Sequence, residues 1–206
     1  MSGIEDIRNR RQQEQEQQAD NQELWLRDGD QAHVAVIPTG AKEDTRLDDF
    51  YLHVIPVVRD NGSKGWNNIL CQKDAGKECI QCNNGSKSGH KFALWTFVYH
   101  IFHVENIVNK SWEEVITPSG AKKYKEIIND FRVFRQGFGK ADYLWNQLVD
   151  IWTEVGGLDK NVVRIVRRGK ELDTTYTISA LPPAVKLSSE DIAKAKALPS
   201  IKDYIA

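Results

Sequence analysis

The sequence lacks any apolar run that approaches the ~20 residues of a membrane-spanning helix. Its first residues, MSGIEDIRNRRQQEQEQQ, also lack the apolar stretch of a secretory signal peptide. Both absences predict a protein that stays in the cytoplasm, where thiols remain reduced. Cysteine is scarce as well, with three in 206 residues. An odd, small number of cysteines argues against a disulfide framework.

The sequence also lacks recognisable catalytic motifs. It contains no Gly-x-Ser-x-Gly, no phosphate-binding loop and no His-Glu-x-x-His. The neighbouring acidic residues Asp48 and Asp49 are explained more simply as part of a solvated loop than as a metal site. We therefore expect a binding protein rather than an enzyme.

The net charge is close to zero, at −1, but the charged residues are unevenly distributed along the chain. Residues 1–30 carry four basic and eight acidic side chains, residues 59–137 carry twelve and eight, and residues 158–186 carry six and three. Two basic zones masked by an acidic flank suit a protein that offers one basic face to a polyanion. The alternative is a solvated surface with chance clustering.

The chain divides into three parts. Residues 1–23 are rich in Gln and Glu and have almost no apolar stripe, which predicts a polar N-terminal arm or helix. Residues 24–182 hold short β-type runs separated by turn signals, with one clear amphipathic helix at 141–155. Residues 183–206 predict a short helical tail with a serine N-cap.

The strand pattern indicates a mainly β fold with helical additions. β-branched and aromatic runs predict strands near 32–37, 50–58, 66–70, 91–104 and 131–138, and a hairpin at 161–181. Residues 111–130 look loop-rich. Because strands do not alternate regularly with helices, we expect an OB-fold-like five-stranded barrel with an inserted zinc knuckle at about residues 53–90.

The three cysteines form a C-x7-C-x2-C cluster, Cys71, Cys79 and Cys82, in a run of Gly, Asn and Lys. A two-residue gap lets both thiolates grip one ion, and Cys71 can close a third position. A histidine must supply the fourth ligand, and spacing alone leaves both His53 and His90 open. Three Cys and one His would fill a tetrahedral site, so we expect one structural zinc per chain.

The longest β-type run carries the candidate binding aromatics. Strict alternation over residues 91–104 places Trp95, Phe97 and Tyr99 on one face of the strand. If the smaller, more aliphatic face lines a barrel, this row faces outward, which is costly unless something covers it. Unpaired bases would cover it by stacking. The alternative is packing under the helix at 141–155.

Basic residues interleave with aromatic ones in the same zones, which is the arrangement that binds single strands. The predicted nucleic-acid-binding residues are Arg59, Lys64, Lys73, Lys87, Lys91, Trp95, Phe97, Tyr99, Arg132, Arg135, Arg164, Arg167, Arg168 and Tyr176.

The layout resembles the zinc-containing single-stranded DNA-binding proteins of tailed bacteriophages, the helix-destabilising replication proteins. The matching pieces are LWLRDGDQAHVAVIP, FYLH, the cysteine knuckle, KFALWTFVYHI and RIVRRGKELDTTYTI, within residues 24–182. The resemblance implies an OB-fold whose zinc is held by one His upstream of three Cys, which favours His53. It also implies cooperative binding through an N-terminal arm and recruitment of replication proteins by an acidic tail, although SIKDYIA is not acidic.

The expected function is therefore to coat and protect unpaired DNA during phage replication, recombination or repair, in the host cytoplasm. Its expected partners are single-stranded DNA, other replication proteins and further copies along the DNA, with no membrane. The alternative is a zinc-ribbon scaffold, or a virion- or transcription-associated protein, that does not bind single strands.

Overall fold

The computed structural model describes eight stretches of the chain. They are residues 22–37, 47–58, 62–106, 110–137, 142–156, 161–170, 173–182 and 187–205. Residues 1–21 and Arg59 lie outside them, so the predicted arm and the predicted contact by Arg59 stay predictions. In these stretches no helix has the length and apolar character needed to cross a membrane.

Eight strands and four α-helices follow one another in the described residues. The strands are β1 (Gln31–Val36), β2 (Leu47–Val58), β3 (Lys64–Leu70), β4 (Ser88–His103), β5 (Glu113–Ile116), β6 (Lys122–Gly137), β7 (Val162–Arg168) and β8 (Thr175–Ala180). The helices are α1 (Ile80–Asn83), α2 (Asp142–Val155), α3 (Ser189–Ala197) and α4 (Ile201–Ile205), with a 3₁₀ turn at Gln72–Ala75. The mainly β class with helical additions is confirmed.

Strand β4 is the centre of one antiparallel sheet. On one side it pairs with β6, from Lys91 opposite Gly137 to His103 opposite Tyr124. On the other side its first half pairs with β2 and its second half with β1. The sheet continues from β2 to β3, from β1 to β7 and β8, and from β6 to β5. Among the described residues β3, β5 and β8 each pair on one side only, so the sheet does not close.

Residues 111–130 are not the loop-rich stretch expected from the sequence, and they add one strand, β5, to the sheet. They form β5, a tight turn and the first half of β6. Gly120 supplies the turn with a φ of 79°, and its N–H donates to the Thr117 carbonyl at 2.8 Å. Lys122, Lys123 and Lys125 therefore lie on a strand, where their side chains take fixed faces.

A β-bulge in β4 changes which of its side chains share a face. Val98 pairs with Val34 of β1, whereas His100, two residues later, pairs with His33, which is only one residue before Val34. One extra residue, Tyr99, therefore shifts the alternation by one position.

The bulge places His100 and Phe102 on the face that carries Trp95 and Phe97. The register with β1 shows this, because Phe97, His100 and Phe102 lie opposite Ala35, His33 and Gln31, which alternate along β1. Strand β6 has a matching irregularity, where Asn129 adopts a φ of 48°. Strict alternation predicts the opposite face for His100 and Phe102, and that prediction is wrong beyond residue 98.

Two hydrophobic cores lie on opposite faces of the sheet. On what we call the α2 face, β4 contributes Phe92, Leu94 and Val98, and α2 contributes Leu144, Leu148 and Ile151. On what we call the C-terminal face, Trp95 and Phe97 pack with Ala195 of α3 and Ile201 of α4. The helix predicted at 141–155 is confirmed as α2, and its apolar stripe covers the α2 face.

The predicted outward row of aromatics is buried instead. Trp95 is 0% exposed and Phe97 is 5% exposed. The Trp95 Nε1–H donates to the Pro199 carbonyl at 3.0 Å, and its ring meets the Tyr204 ring with centroids 5.1 Å apart. Tyr99 is half-buried beside Phe97. Helices α3 and α4 therefore cover the row, and α2, the alternative cover considered from the sequence, lies on the other face.

Each of the two covering helices begins with a serine N-cap. The Ser188 Oγ accepts a hydrogen bond from the Asp191 N–H at 3.0 Å, and the Ser200 Oγ accepts one from the Asp203 N–H at 3.0 Å. Each cap satisfies a backbone donor that the first helical turn leaves unpaired. The predicted helical tail is thus confirmed within residues 187–205, where it packs on the sheet.

A buried histidine joins the strands at the far end of β4. His103 Nδ1 lies 2.9 Å from Asp30 Oδ2, and its Nε2 lies 2.9 Å from Glu126 Oε2. Trp112 stacks on its ring with centroids 4.1 Å apart. His103 and Glu105 have the His-x-Glu spacing of zinc deaminases. Because two carboxylates occupy both ring nitrogens, His103 is not placed as a metal ligand.

We predict that His103→Gln lowers the free energy of unfolding by about 2 kcal/mol near pH 6, since hydrogen bonds to charged groups contribute about 1.5–3 kcal/mol. Burial alone would lower the pKa of His103, but the bonds to Asp30 and Glu126 outweigh it and raise that pKa above 6.5. The charged His103 imidazolium therefore makes its full contribution to the stability of the fold below pH 6.5. That contribution is lost as the pH rises through the pKa of His103 in the folded state. Urea denaturation at several pH values should show that the difference in unfolding free energy between wild type and His103→Gln becomes smaller from about pH 6 to about pH 9.

The matched control is His33→Gln, for which the pH dependence has the opposite sign. The pKa of His33 is lowered from 6.5 to about 4, so its contribution is present above pH 6.5 and is lost as pH falls towards 4. A His103→Gln difference that grows with pH, or stays flat, would contradict the assignment of a buried imidazolium.

Candidate metal centre and nucleic-acid interface

The three cysteines and the histidine that the family resemblance favours come together. His53 Nε2 and the sulfurs of Cys71, Cys79 and Cys82 all lie within 4.8 Å of one another. The sulfurs of Cys71 and Cys82 are 3.6 Å apart, and His53 Nε2 is 3.4 Å from Cys79 Sγ and 3.5 Å from Cys82 Sγ. A tetrahedral zinc site has ligand-to-ligand distances of about 3.5–3.8 Å. The cluster has the size and donor set to hold one metal ion.

Strands β2 and β3 and the turn after them position these ligands. His53 lies in the middle of β2, opposite Ile69 of β3. Cys71 follows β3 directly, and its N–H donates to the Tyr51 carbonyl at 2.8 Å. Cys79 is the N-cap of α1 and Cys82 lies within that helix. The short helix therefore returns the chain to the end of the hairpin.

Hydrogen bonds orient the ligands and set their charge. His53 Nδ1 is 3.2 Å from Ser86 Oγ, so the tautomer that donates there leaves Nε2 for a metal. Backbone N–H groups, that of Cys82 first, lower the pKa of the Cys79 thiol. Burial and the neighbouring sulfurs raise the pKa of Cys82. Crowded thiols resist ionisation together, and a bound cation would relieve that resistance.

His90 does not reach the cluster. Its Nε2 lies 2.8 Å from Asp49 Oδ2, and its ring stacks on Tyr51 with centroids 4.5 Å apart and planes at 10°. Its backbone also pairs with Tyr51, two residues before His53 on β2. The fourth position of the cluster belongs to His53, and the alternative ligand is wrong.

A second group of functional side chains lies beyond the bulge, on the part of the C-terminal face next to Trp95 and Phe97. The rings of His33 and His100 are 4.6 Å apart between centroids, with His33 Nδ1 3.0 Å from His100 Nε2. Phe102 meets both rings edge-on. By strand register these rings share a face with basic residues of β6 and β7. We name this set the bulge patch: His33, His100, Phe102, Lys123, Lys125, Arg164 and Arg168.

The bulge patch is electropositive. Burial, followed by the charges of His100, Arg164, Lys123 and Lys125, lowers the pKa of His33 to about 4. His33 is therefore neutral at pH 7. The Arg164 Nε–H donates to Ser179 Oγ at 3.0 Å, which fixes its guanidinium beside the rings. Glu113, 3.5 Å from the Lys125 amine, is an acidic neighbour at the β5 edge.

Two predicted contact residues lie away from this patch. The Arg167 guanidinium donates to the Leu26 carbonyl and lies 5.9 Å from the Trp25 ring centroid. It therefore anchors the segment before β1. Tyr176 packs on the α2-face core, edge-on to Phe134 with centroids 5.6 Å apart. Both residues therefore lie outside the bulge patch, and their contact with a nucleic acid stays a prediction.

The remaining predicted residues are spread over other surfaces. Arg132 pairs with Asp130 at 3.0 Å and Arg135 pairs with Glu23 at 2.7 Å. Of the predicted lysines in the hairpin and the knuckle, Lys64, Lys73 and Lys87 are exposed, and Lys91 is half-buried. Of the predicted set, the structure places only Arg164 and Arg168 in the bulge patch.

Sequence reasoning missed His33, His100 and Phe102 as a group. Alternation placed His100 and Phe102 on the interior face, and nothing in the residue types marks the bulge at Tyr99. Lys123 and Lys125 were recognised as basic but were placed in a loop. The histidines themselves, in a strand flanked by cationic strands, were the available signal.

We predict that the native protein holds one metal ion per chain and that His53→Ala loses it, whereas His90→Ala retains it. Ser86→Ala should weaken metal affinity about 10- to 100-fold, because an outer partner orients the ligating imidazole. Elemental analysis and competition with a chelator measure both quantities. Metal-free native protein, or loss of metal in His90→Ala alone, would contradict the ligand set.

Comparison with known proteins identifies no family for this chain. Neither the protein-family models nor the curated proteins include a match to it. The resemblance to phage single-stranded DNA-binding proteins therefore stays a prediction from short motifs. The function must be inferred from the chain's own metal cluster and surfaces.

Proposed function

We propose that the protein binds single-stranded nucleic acid, with DNA as the expected form, through the bulge patch. The observation that carries the proposal is the convergence of partly buried ring side chains and cations on one face of the sheet. Aromatic faces stack on unpaired bases without sequence preference, and basic groups follow the phosphates. Coating of unpaired DNA in replication, recombination or repair is the role that this activity would serve.

The geometry of the patch suits a flexible single strand better than a duplex. Phe102 and His100 of β4 lie between Lys123 and Lys125 on one side and Arg164 on the other. Bases laid along the rings would thus have a cation within reach on either flank. A duplex hides its base faces, so only its phosphates could use this surface.

We further propose that the metal is zinc and that its role is structural. Three thiolates and one imidazole are a zinc donor set, and four protein ligands leave no open position for a reacting water. The metal would join the hairpin of β2 and β3 to the polar turn that follows it and to α1, which buries no side chain of its own. Bound metal then contributes to folding free energy directly.

The alternative function is a metal-stabilised scaffold that does not bind single strands. The burial of Trp95 and Phe97 favours it, because a scaffold would pack its aromatics inside. The bulge patch favours nucleic-acid binding, because a scaffold has no need of clustered cations around neutral histidines.

We predict that oligo(dT) binds more tightly than duplex of equal length, and that two kinds of variant weaken it differently. Phe102→Ala should cost about 1–3 kcal/mol of binding free energy, the contribution of one stacked base. Arg164→Ala should also flatten the slope of log affinity against log salt by about 0.7, the loss of one single-strand phosphate contact. Fluorescence anisotropy of a labelled oligonucleotide at several salt concentrations measures both.

The controls remove similar groups from other surfaces. Trp152→Ala removes an exposed aromatic from α2, and Lys77→Ala removes an exposed cation from the metal knuckle. Both should bind like wild type. Equal binding of oligo(dT) and duplex, or loss of affinity in the controls but not in Phe102→Ala, would reject the patch and favour the scaffold.

A further inference from the structure

The hairpin of β2 and β3 presents an unusual exposed face. Trp66 is 69% exposed and Val58 is 71% exposed, the two largest exposures among the big apolar side chains of this hairpin. Cross-strand register pairs Val54 with Asn68, Pro56 with Trp66 and Val58 with Lys64, so these six side chains share one face. An indole on an open strand, with a lysine and an amide beside it, offers a flat platform with polar flanks.

This hairpin face continues the C-terminal face of the sheet. Leu52, two residues before Val54 on β2, belongs to the core that contains Trp95. A groove of about 600 Å³ runs between Trp66 and Tyr204 of α4, and Arg135 lines it. A second groove of about 200 Å³ joins Val54, Asn68 and Arg135 to Lys91. Helices α3 and α4 therefore lie between this groove and the bulge patch.

Arg135 lines both grooves and Lys91 lines the smaller one, and both side chains are held in place. The Arg135 guanidinium pairs with Glu23 at 2.7 Å. The Lys91 amine extends over Gly137, where an added Cβ would lie 2.9 Å from its Nζ. An indole with one cation in its groove and a second cation in the adjoining groove complements a nucleotide, whose base is flat and whose phosphate is anionic.

We propose that Trp66 is a second base-stacking subsite for the same unpaired strand, with Arg135 and Lys91 holding its phosphates. This inference rests on the proposed function, because the strand that reaches the groove is the one bound at the bulge patch. The strand passes beside the C-terminal helices to join the two subsites. Glu23 competes with the phosphate for Arg135.

The separation of the subsites sets the length of strand required. Lys91 and Phe102 lie on the same strand, β4, eleven positions apart, which is roughly 36 Å at about 3.3 Å per residue. A stacked strand advances about 3.4 Å per nucleotide, so about ten nucleotides reach from Phe102 to Lys91, at the near end of the second subsite, and the path on to Trp66 is longer. This length falls within the range of about 4–16 nucleotides found for single OB-type modules.

The metal cluster supports this subsite selectively. His53 belongs to β2 and Cys71 directly follows β3, so the metal joins the two strands that present Trp66. The bulge patch is built on β1, β4, β6 and β7, none of which supplies a ligand. Removal of the metal should therefore affect long oligonucleotides more than short ones.

The test compares the full-length protein with its Trp66→Ala and Trp66→Phe variants on oligo(dT) of about 16 and about 4 nucleotides, the two ends of the site-size range. Trp66→Ala should lower the affinity for the long oligonucleotide roughly fivefold to a hundredfold and leave the affinity for the short one unchanged. Trp66→Phe, which keeps a stacking face, should recover most of that loss. Glu23→Gln should raise the affinity for the long oligonucleotide. Loss of the ion pair between Glu23 and Arg135 would not have this effect if that pair were merely structural.

The outcomes separate this inference from the proposed function. If Phe102→Ala weakens both lengths and Trp66→Ala weakens neither, binding at the bulge patch stands and the second subsite is rejected. If wild type binds neither length better than a duplex, the proposed function fails and the subsite fails with it. Unchanged or weaker binding by Glu23→Gln also rejects the phosphate position at Arg135.

Discussion

The pairing of β4 with β1, β2 and β6 is the constraint on which the rest of the structure depends. Its sixteen residues are long enough to pair with β2 in one half and β1 in the other, so the strand joins the hairpin of β2 and β3 to the hairpin of β7 and β8. Both of its faces are buried near the middle, where α2 covers one and the C-terminal helices cover the other. The bulge at Tyr99 then sets which side chains emerge beyond those helices.

The candidate metal centre and the bulge patch lie near the two ends of this strand, and different interactions stabilise them. Around the knuckle the chain is too polar to bury a core, and the three thiols and the imidazole could hold a metal ion that takes its place. At the other end His33 and His100 stay neutral among cations because burial and neighbouring charges lower their pKa values. Neutral rings among fixed cations can stack on bases without adding to the repulsion between the cations.

The metal ligands could be predicted because they depend on local spacing. Cys71, Cys79 and Cys82 lie within one short segment, and only the choice between His53 and His90 required the pairing of β2 with β4. The class of fold and helix α2 followed from hydrophobic periodicity. The binding surface could not be predicted in this way. One inserted residue in β4 reverses the alternation of its side chains, and no residue type in the strand indicates the insertion. The cover over Trp95 also escaped prediction, since contacts between residues about a hundred positions apart leave no local pattern.

The central claim is that one continuous face of the sheet, on either side of the C-terminal helices, follows a single unpaired strand. Photo-cross-linking of a long oligonucleotide carrying photoreactive thymines, followed by mass spectrometry of the linked peptides, tests it most directly. We expect links to the peptides that contain Phe102 and Trp66, and none to the peptide of α2 that contains Trp152. Links confined to α2, or an absence of links at Phe102 under conditions of saturated binding, would contradict the account.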